Sequence, residues 1–115
     1  MSSPSEIDAL IDAGLELEGK GVERQVIAYF QGLVAQYPDH ARVQFEMGGA
    51  YDSAGYEAEA IAHYERAIAL GLTGKDAIQV NVQLGSSLRN IGKLDEAVAL
   101  LKQACADHPD YIALR

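Results

Sequence analysis

Residues 47–64 read MGGAYDSAGYEAEAIAHY, and the spacing inside this stretch sets the fold. Gly48 is followed by Gly55 seven positions on, by the small residue Ala60 at twelve and by the large residue Tyr64 at sixteen. The same offsets recur from Gly14, giving Gly21, Val26 and Phe30, and from Gly85, giving Gly92, Ala97 and Leu101. Twenty-four positions after each lead glycine come Pro38, Leu72 and Pro109. A period of this length marks a supersecondary unit that is stacked on copies of itself. The lead glycines are 34 and then 37 residues apart, and the surplus falls around Leu72–Lys75, where a loop absorbs it at little cost.

Each landmark has a physical reason. A glycine inside a helix costs about 1 kcal/mol relative to alanine, so close approach of a neighbouring helix must offset the lead glycine. The second glycine ends the leading helix, because it takes a left-handed conformation that side chains resist. Proline stops the trailing helix. These signals predict helices over about 4–19, 22–36, 40–54, 57–70, 74–91 and 94–107. Ser3-Pro4-Ser5-Glu6 and Thr73 with Asp76 read as capping boxes, and Asp39 reads as the cap of the third helix. Residues 77–84 alternate apolar and polar like a strand. They lie in repeat register behind a capping signal with no partner strand elsewhere, so they are assigned to the fifth helix.

Composition agrees with an all-α chain. Of 115 residues, 49% are hydrophobic and 23% charged, which is globular, and three prolines leave room for long helices. The formal charge is −8, falling from −5 over residues 1–40 to −3 over 41–77 and 0 over 78–115. Such a field repels phosphate backbones and anionic lipid, so nucleic acid and membrane are not expected partners. One cysteine, Cys105, excludes an internal disulfide framework and reads as a small apolar residue. With no secretory signal and no membrane-length apolar run, a cytoplasmic location is expected.

The landmarks resemble the tetratricopeptide repeat, whose pattern runs W-x2-L-G-x2-Y, then A-x3-F, then P. Met47-Gly48 with Tyr51, Ala60 and Tyr64 match best; Leu84-Gly85 with Leu88, Ala97, Leu101 and Pro109 follow; Ala13-Gly14 with Leu17, Val26, Phe30 and Pro38 are more worn. The tryptophan position holds Leu10, Gln44 and Asn81. The resemblance implies a right-handed α-solenoid of three repeats, about 7–40, 41–77 and 78–111, in a single domain spanning 1–115. Residues 84–98 also look like a family of small stand-alone bacterial tetratricopeptide proteins with no assigned reaction.

In such arrays the leading helices line a concave groove that binds a peptide or protein. Carried over by register, the groove would present Asp8, Ile11, Leu15 and Glu18 from the first repeat. The second would supply Arg42, Phe45, Glu46, Gly49 and Asp52, and the third Gln79, Val82, Gln83, Ser86, Arg89 and Asn90. Phe45 reads either as an anchor for a peptide side chain or as inter-repeat core. Arg42 and Arg89 read as contacts for a peptide carboxylate or as solvated or ion-paired surface residues. The family's clamp for chaperone C-terminal tails would fall on Ile11, Leu15, Glu46, Gln79 and Gln83, none of which carries the required group, so such tails are not expected ligands.

Catalytic patterns are not found. His40, His63 and His108 occupy non-equivalent positions, and Glu59 with His63 reads as a surface pair rather than a metal site. There is no phosphate-cradling loop or nucleophile elbow, so neither an enzyme nor a cofactor is expected. Asp110 reads as the cap of a fourth helix begun at 112–115. That would leave Ala97, Val98, Leu100, Leu101 and Ala104 partly bare. An edge of Val98, Leu101, Ile112 and Leu114 is therefore expected to form a two-fold homodimer or to continue into a longer array.

Overall fold

The computed structural model describes residues 4–17 and 22–107. Ser3, Gly21, His108, Pro109, the proposed start of a fourth helix, Ile112 and Leu114 lie outside them, as do the side chains of Ala104 and Cys105.

The described residues form six helices and no strand: α1 (Pro4–Leu15), α2 (Glu23–Gln36), α3 (Ala41–Ser53), α4 (Glu57–Leu70), α5 (Gly74–Asn90) and α6 (Leu94–Asp107). Helix α1 ends near Leu15, four residues before the expected boundary, and Glu16 and Leu17 form a turn. The strand-like stretch 77–84 is helical. Each helix packs mainly on its chain neighbours, and α3 also meets α5.

The lead glycines explain the pairing of helices within a repeat. A Cβ built on Gly14 would sit 2.7 Å from the rings of Phe30 and Tyr29, one on Gly48 2.6 Å from Tyr64, and one on Gly85 2.9 Å from Leu101. Carbon atoms pack best at about 3.5–4.0 Å, so only glycine lets the trailing helix approach this closely. The partner at each site is the large residue sixteen positions on.

The turn that follows is built alike in the second and third repeats. Gly55 and Gly92 stand at φ +87° and +88°. Their N–H groups donate to Asp52 and Arg89, while Tyr56 and Lys93 donate back to the carbonyls of Tyr51 and Leu88. This paired arrangement satisfies carbonyls that a helix end would leave bare.

Two assigned caps differ. The N-cap of α3 is His40, whose Nδ1 accepts the Val43 N–H at 3.3 Å. Asp39 lies one residue too early and instead meets Arg66 at 2.6 Å. Thr73 does hold the N-cap position of α5 in extended conformation, but its side chain makes no capping bond.

Two apolar clusters form the core. Ile7, Ile11, Val26, Phe30, Leu33, Val43, Met47 and Ala50 join α1, α2 and α3. Phe45, Ala60, Tyr64, Ala67, Val80, Leu84, Leu88 and Ala97 join α3 to α6. Helix α3 serves both, through Val43, Met47 and Ala50 on one side and Phe45 on the other. Most stability in such helices comes from burial of this kind rather than from propensity.

Candidate functional site

Helices α1, α3 and α5 recur in register; of the residues assigned to the groove, Asp8, Arg89 and Asn90 are exposed and most of the others are half-buried. Arg42 in α3 reaches Asp8 at 3.2 Å and Asp12 at 3.4 Å in α1, tying the first two repeats. Both aspartates are well exposed and Arg42 is half-buried, so solvent screens the pairs and each contributes well under 1 kcal/mol. Arg89 is exposed and forms no ion pair among the described residues.

Between α3, α4 and α5 lies a cavity of about 140 Å³, lined by Phe45, Glu46, Gly49, Asp52, Ser53, Tyr64 and Gln83. The Tyr64 hydroxyl donates to Asp52 Oδ2 at 2.9 Å, and the Phe45 ring lies 6.1 Å from that of Tyr64. Burial first, then the negative charge of Asp52, Glu46 and Glu57, pushes the Tyr64 phenol far above its ordinary value. Glu57 accepts a bond from Asn90 at 3.2 Å through Oε1, while its Oε2 is buried without a partner. The cavity and its surroundings are thus rich in acceptors and poor in donors.

Two groove assignments need correction. Ile11 is fully buried in the first cluster and presents no surface. Phe45 is 6% exposed and belongs to the second core, where its ring rests on Tyr64; it borders the cavity without projecting as an anchor. Asp52 is half-buried, accepts from Tyr64 through Oδ2 and lines the cavity. Gln79, Val82 and Ser86 are half-buried along α5, and Asn90 is exposed beside Glu57.

The edge assignment also changes. Leu101 is half-buried against Gly85, and Ala97 is buried. At this end of the described residues the exposed large apolar side chains are Ile91, Leu94 and Val98, the last 50% exposed.

Sequence reasoning missed two features. Gln44, at the position where the repeat pattern has tryptophan, is buried and donates to the Pro38 carbonyl at 2.8 Å. Its Oε1 accepts from His63 Nδ1 at 2.7 Å, and the His63 ring stacks on Tyr51. His63 therefore serves this polar core element and is not a surface partner of Glu59. Burial lowers its pKa below the ordinary histidine value. A second, more open groove of about 860 Å³ runs between the start of α2 and the α3–α4 turn, past Val22, Ile27, Gln31, Tyr51, Ala54 and Tyr56. Tyr56 contributes an exposed ring to it.

Residues 41–113 match the family model described as Tetratrico peptide repeat. No curated protein matches the chain in sequence. Solved structures match closely in backbone. The first TPR of Spaghetti (RPAP3), bound to the HSP90 peptide SRMEEVD, is 16% identical with a TM-score of 0.83 over 97% of this chain and 86% of that one. SycD, the type III secretion chaperone of Yersinia enterocolitica, in complex with a peptide of the translocator YopD, is 18% identical with a TM-score of 0.77, covering 90% and 77%. MamA is 20% identical with a TM-score of 0.81; the alignment covers 97% of this chain and 64% of MamA, so the chain spans less than two thirds of that protein's length.

Proposed function

The chain belongs to the tetratricopeptide-repeat family, an all-α right-handed solenoid, and on that premise we propose that it is a protein-interaction module that holds a peptide or protein segment on the face of α1, α3 and α5. The observation that carries this reading is the polar cavity at the α3–α5 junction, which opens on the same helices that form the array's inner register. The complexes of Spaghetti and SycD with peptides support it by likeness of fold. The reading is of a non-enzymatic, cytoplasmic module that uses no cofactor, and no described helix is long and apolar enough to cross a membrane. Nucleic acid is disfavoured by the charge of −8.

Chaperone C-terminal tails are disfavoured as well. At the clamp positions Ile11 is buried, Leu15 is apolar, and Glu46 would repel a carboxylate. Calorimetry with such a tail peptide should show no heat of binding at micromolar concentrations, and a saturable isotherm would overturn the exclusion.

A second reading, self-association through the outer face of α6, is favoured by the exposed stripe of Ile91, Leu94 and Val98. One experiment separates the two. Quantitative affinity capture from the source cell would compare wild type, a Ser86→Glu/Arg89→Glu variant and Val98→Glu, with light scattering on each. Partners lost only from the α5 variant support the groove. A dimer in the wild type that Val98→Glu dissolves supports self-association. Identical partner sets from all three would refute the groove reading.

A further inference from the structure

Resting on the groove reading, we infer that the cavity between α3, α4 and α5 is a specificity slot for one cationic side chain, an arginine or lysine of the bound segment. Three observations converge. The lining holds two carboxylates, Glu46 and Asp52, and no basic residue. Its one hydroxyl on an aromatic ring, that of Tyr64, already donates to Asp52. Gln83, which closes the slot from α5, has a carbonyl oxygen buried without a hydrogen-bond partner. A buried acceptor left unpaired is costly, so an acceptor-rich lining favours a ligand that donates.

Charge and shape select among donors. Glu57 beside Tyr64 adds a third carboxylate to the field, which adds to burial, the larger cause, in raising the Tyr64 phenol. Phe45 and Tyr64 form an aromatic wall, against which the stem or face of a guanidinium packs favourably. The volume of about 140 Å³ compares with about 30 Å³ for one water, enough for a planar head of four heavy atoms. A bare metal ion is a poorer fit, since no group of three or more metal-ligating side chains occurs among the described residues. Gly49 supplies the opening: a Cβ there would meet nothing within 4 Å.

The test is a titration followed by amide chemical shifts, using the full chain and three blocked tripeptides: acetyl-Gly-Arg-Gly-amide, its citrulline analogue, which keeps the shape and removes the charge, and its glutamate analogue. The arginine peptide should shift Gly49, Ser53 and the Gln83 side-chain amide saturably. The citrulline peptide should bind at least tenfold more weakly, and the glutamate peptide should not bind. Gly49→Leu fills the opening at a position with free space and should abolish the shifts while leaving the melting temperature at or above that of the wild type. Glu46→Gln should weaken binding severalfold. Equal binding of arginine and citrulline peptides in the slot would remove the charge assignment and leave the groove reading standing. Shifts spread over the acidic surface and insensitive to Gly49→Leu would overturn the slot. An absence of shifts with the arginine peptide would overturn it too, leaving the groove to the capture experiment.

Discussion

Alanine at Gly48 and alanine at Gly32 should move stability in opposite directions, although both glycines lie inside helices. Helix propensity alone favours alanine by about 1 kcal/mol at each. At Gly32 a Cβ would meet nothing within 4 Å, so Gly32→Ala should realise that gain. At Gly48 a Cβ would lie 2.6 Å from two carbons of the Tyr64 ring and 3.3 Å from the Ala60 carbonyl. The ring cannot swing aside freely, because Tyr64 is fully buried and its hydroxyl is held by Asp52. Overpacking of this kind costs about 1–3 kcal/mol, and the upper half of that range applies where the clash is with a fixed ring. Net of propensity, Gly48→Ala should lose about 1–2 kcal/mol. An entropy of unfolding near 2.1 cal/mol/K per residue makes 1 kcal/mol worth about 4 °C for a chain of this length. Gly32→Ala should therefore melt about 4 °C higher and Gly48→Ala about 4–8 °C lower, measured by circular dichroism and checked by urea unfolding. A double-mutant cycle isolates the cause: in a Tyr64→Leu background the Gly48→Ala penalty should shrink or reverse. A Gly48→Ala protein that melts at or above the wild type would refute the argument that close helix approach demands this glycine.

Other perturbations follow from the same coordinates. His63 has a folded-state pKa below the ordinary 6.5, so the folded protein binds its proton less readily than the unfolded chain. That stability is fully present above pH 6.5 and is lost as pH falls through the lowered folded value; His63→Gln should flatten this part of a urea-midpoint-against-pH curve. Tyr29→Phe removes the 2.6 Å bond to the Leu10 carbonyl and should cost about 1 kcal/mol in urea unfolding. Arg66→Ala breaks an exposed pair with Asp39 and should change the melting temperature by less than the error of the measurement.

The repeat, the six helices and the helix-pair architecture were legible because each depends on local rules. A left-handed turn needs glycine, as at Gly55 and Gly92, and a close helix crossing needs glycine opposite a large side chain, as at Gly48 and Tyr64. Both leave a mark at fixed spacing in the chain. The worn landmarks of the first repeat accord with a family match that begins at residue 41.

Tertiary structure decided what spacing could not. Register placed Ile11 and Phe45 on the groove side of their helices, yet a helix side is wider than a groove, and neighbouring side chains cover both residues. The roles of His40 as cap and of His63 as partner of Gln44 depend on where chains 19 residues apart meet or on a one-residue shift of a helix start. The acceptor-rich cavity draws on α3, α4 and α5 at once, so no single segment announces it. The sequence by itself determined a stack of helical hairpins, because backbone conformation and close packing constrain residue type locally. Only the folded chain determined which surfaces remain open and what charge they carry, because exposure is a property of three helices together.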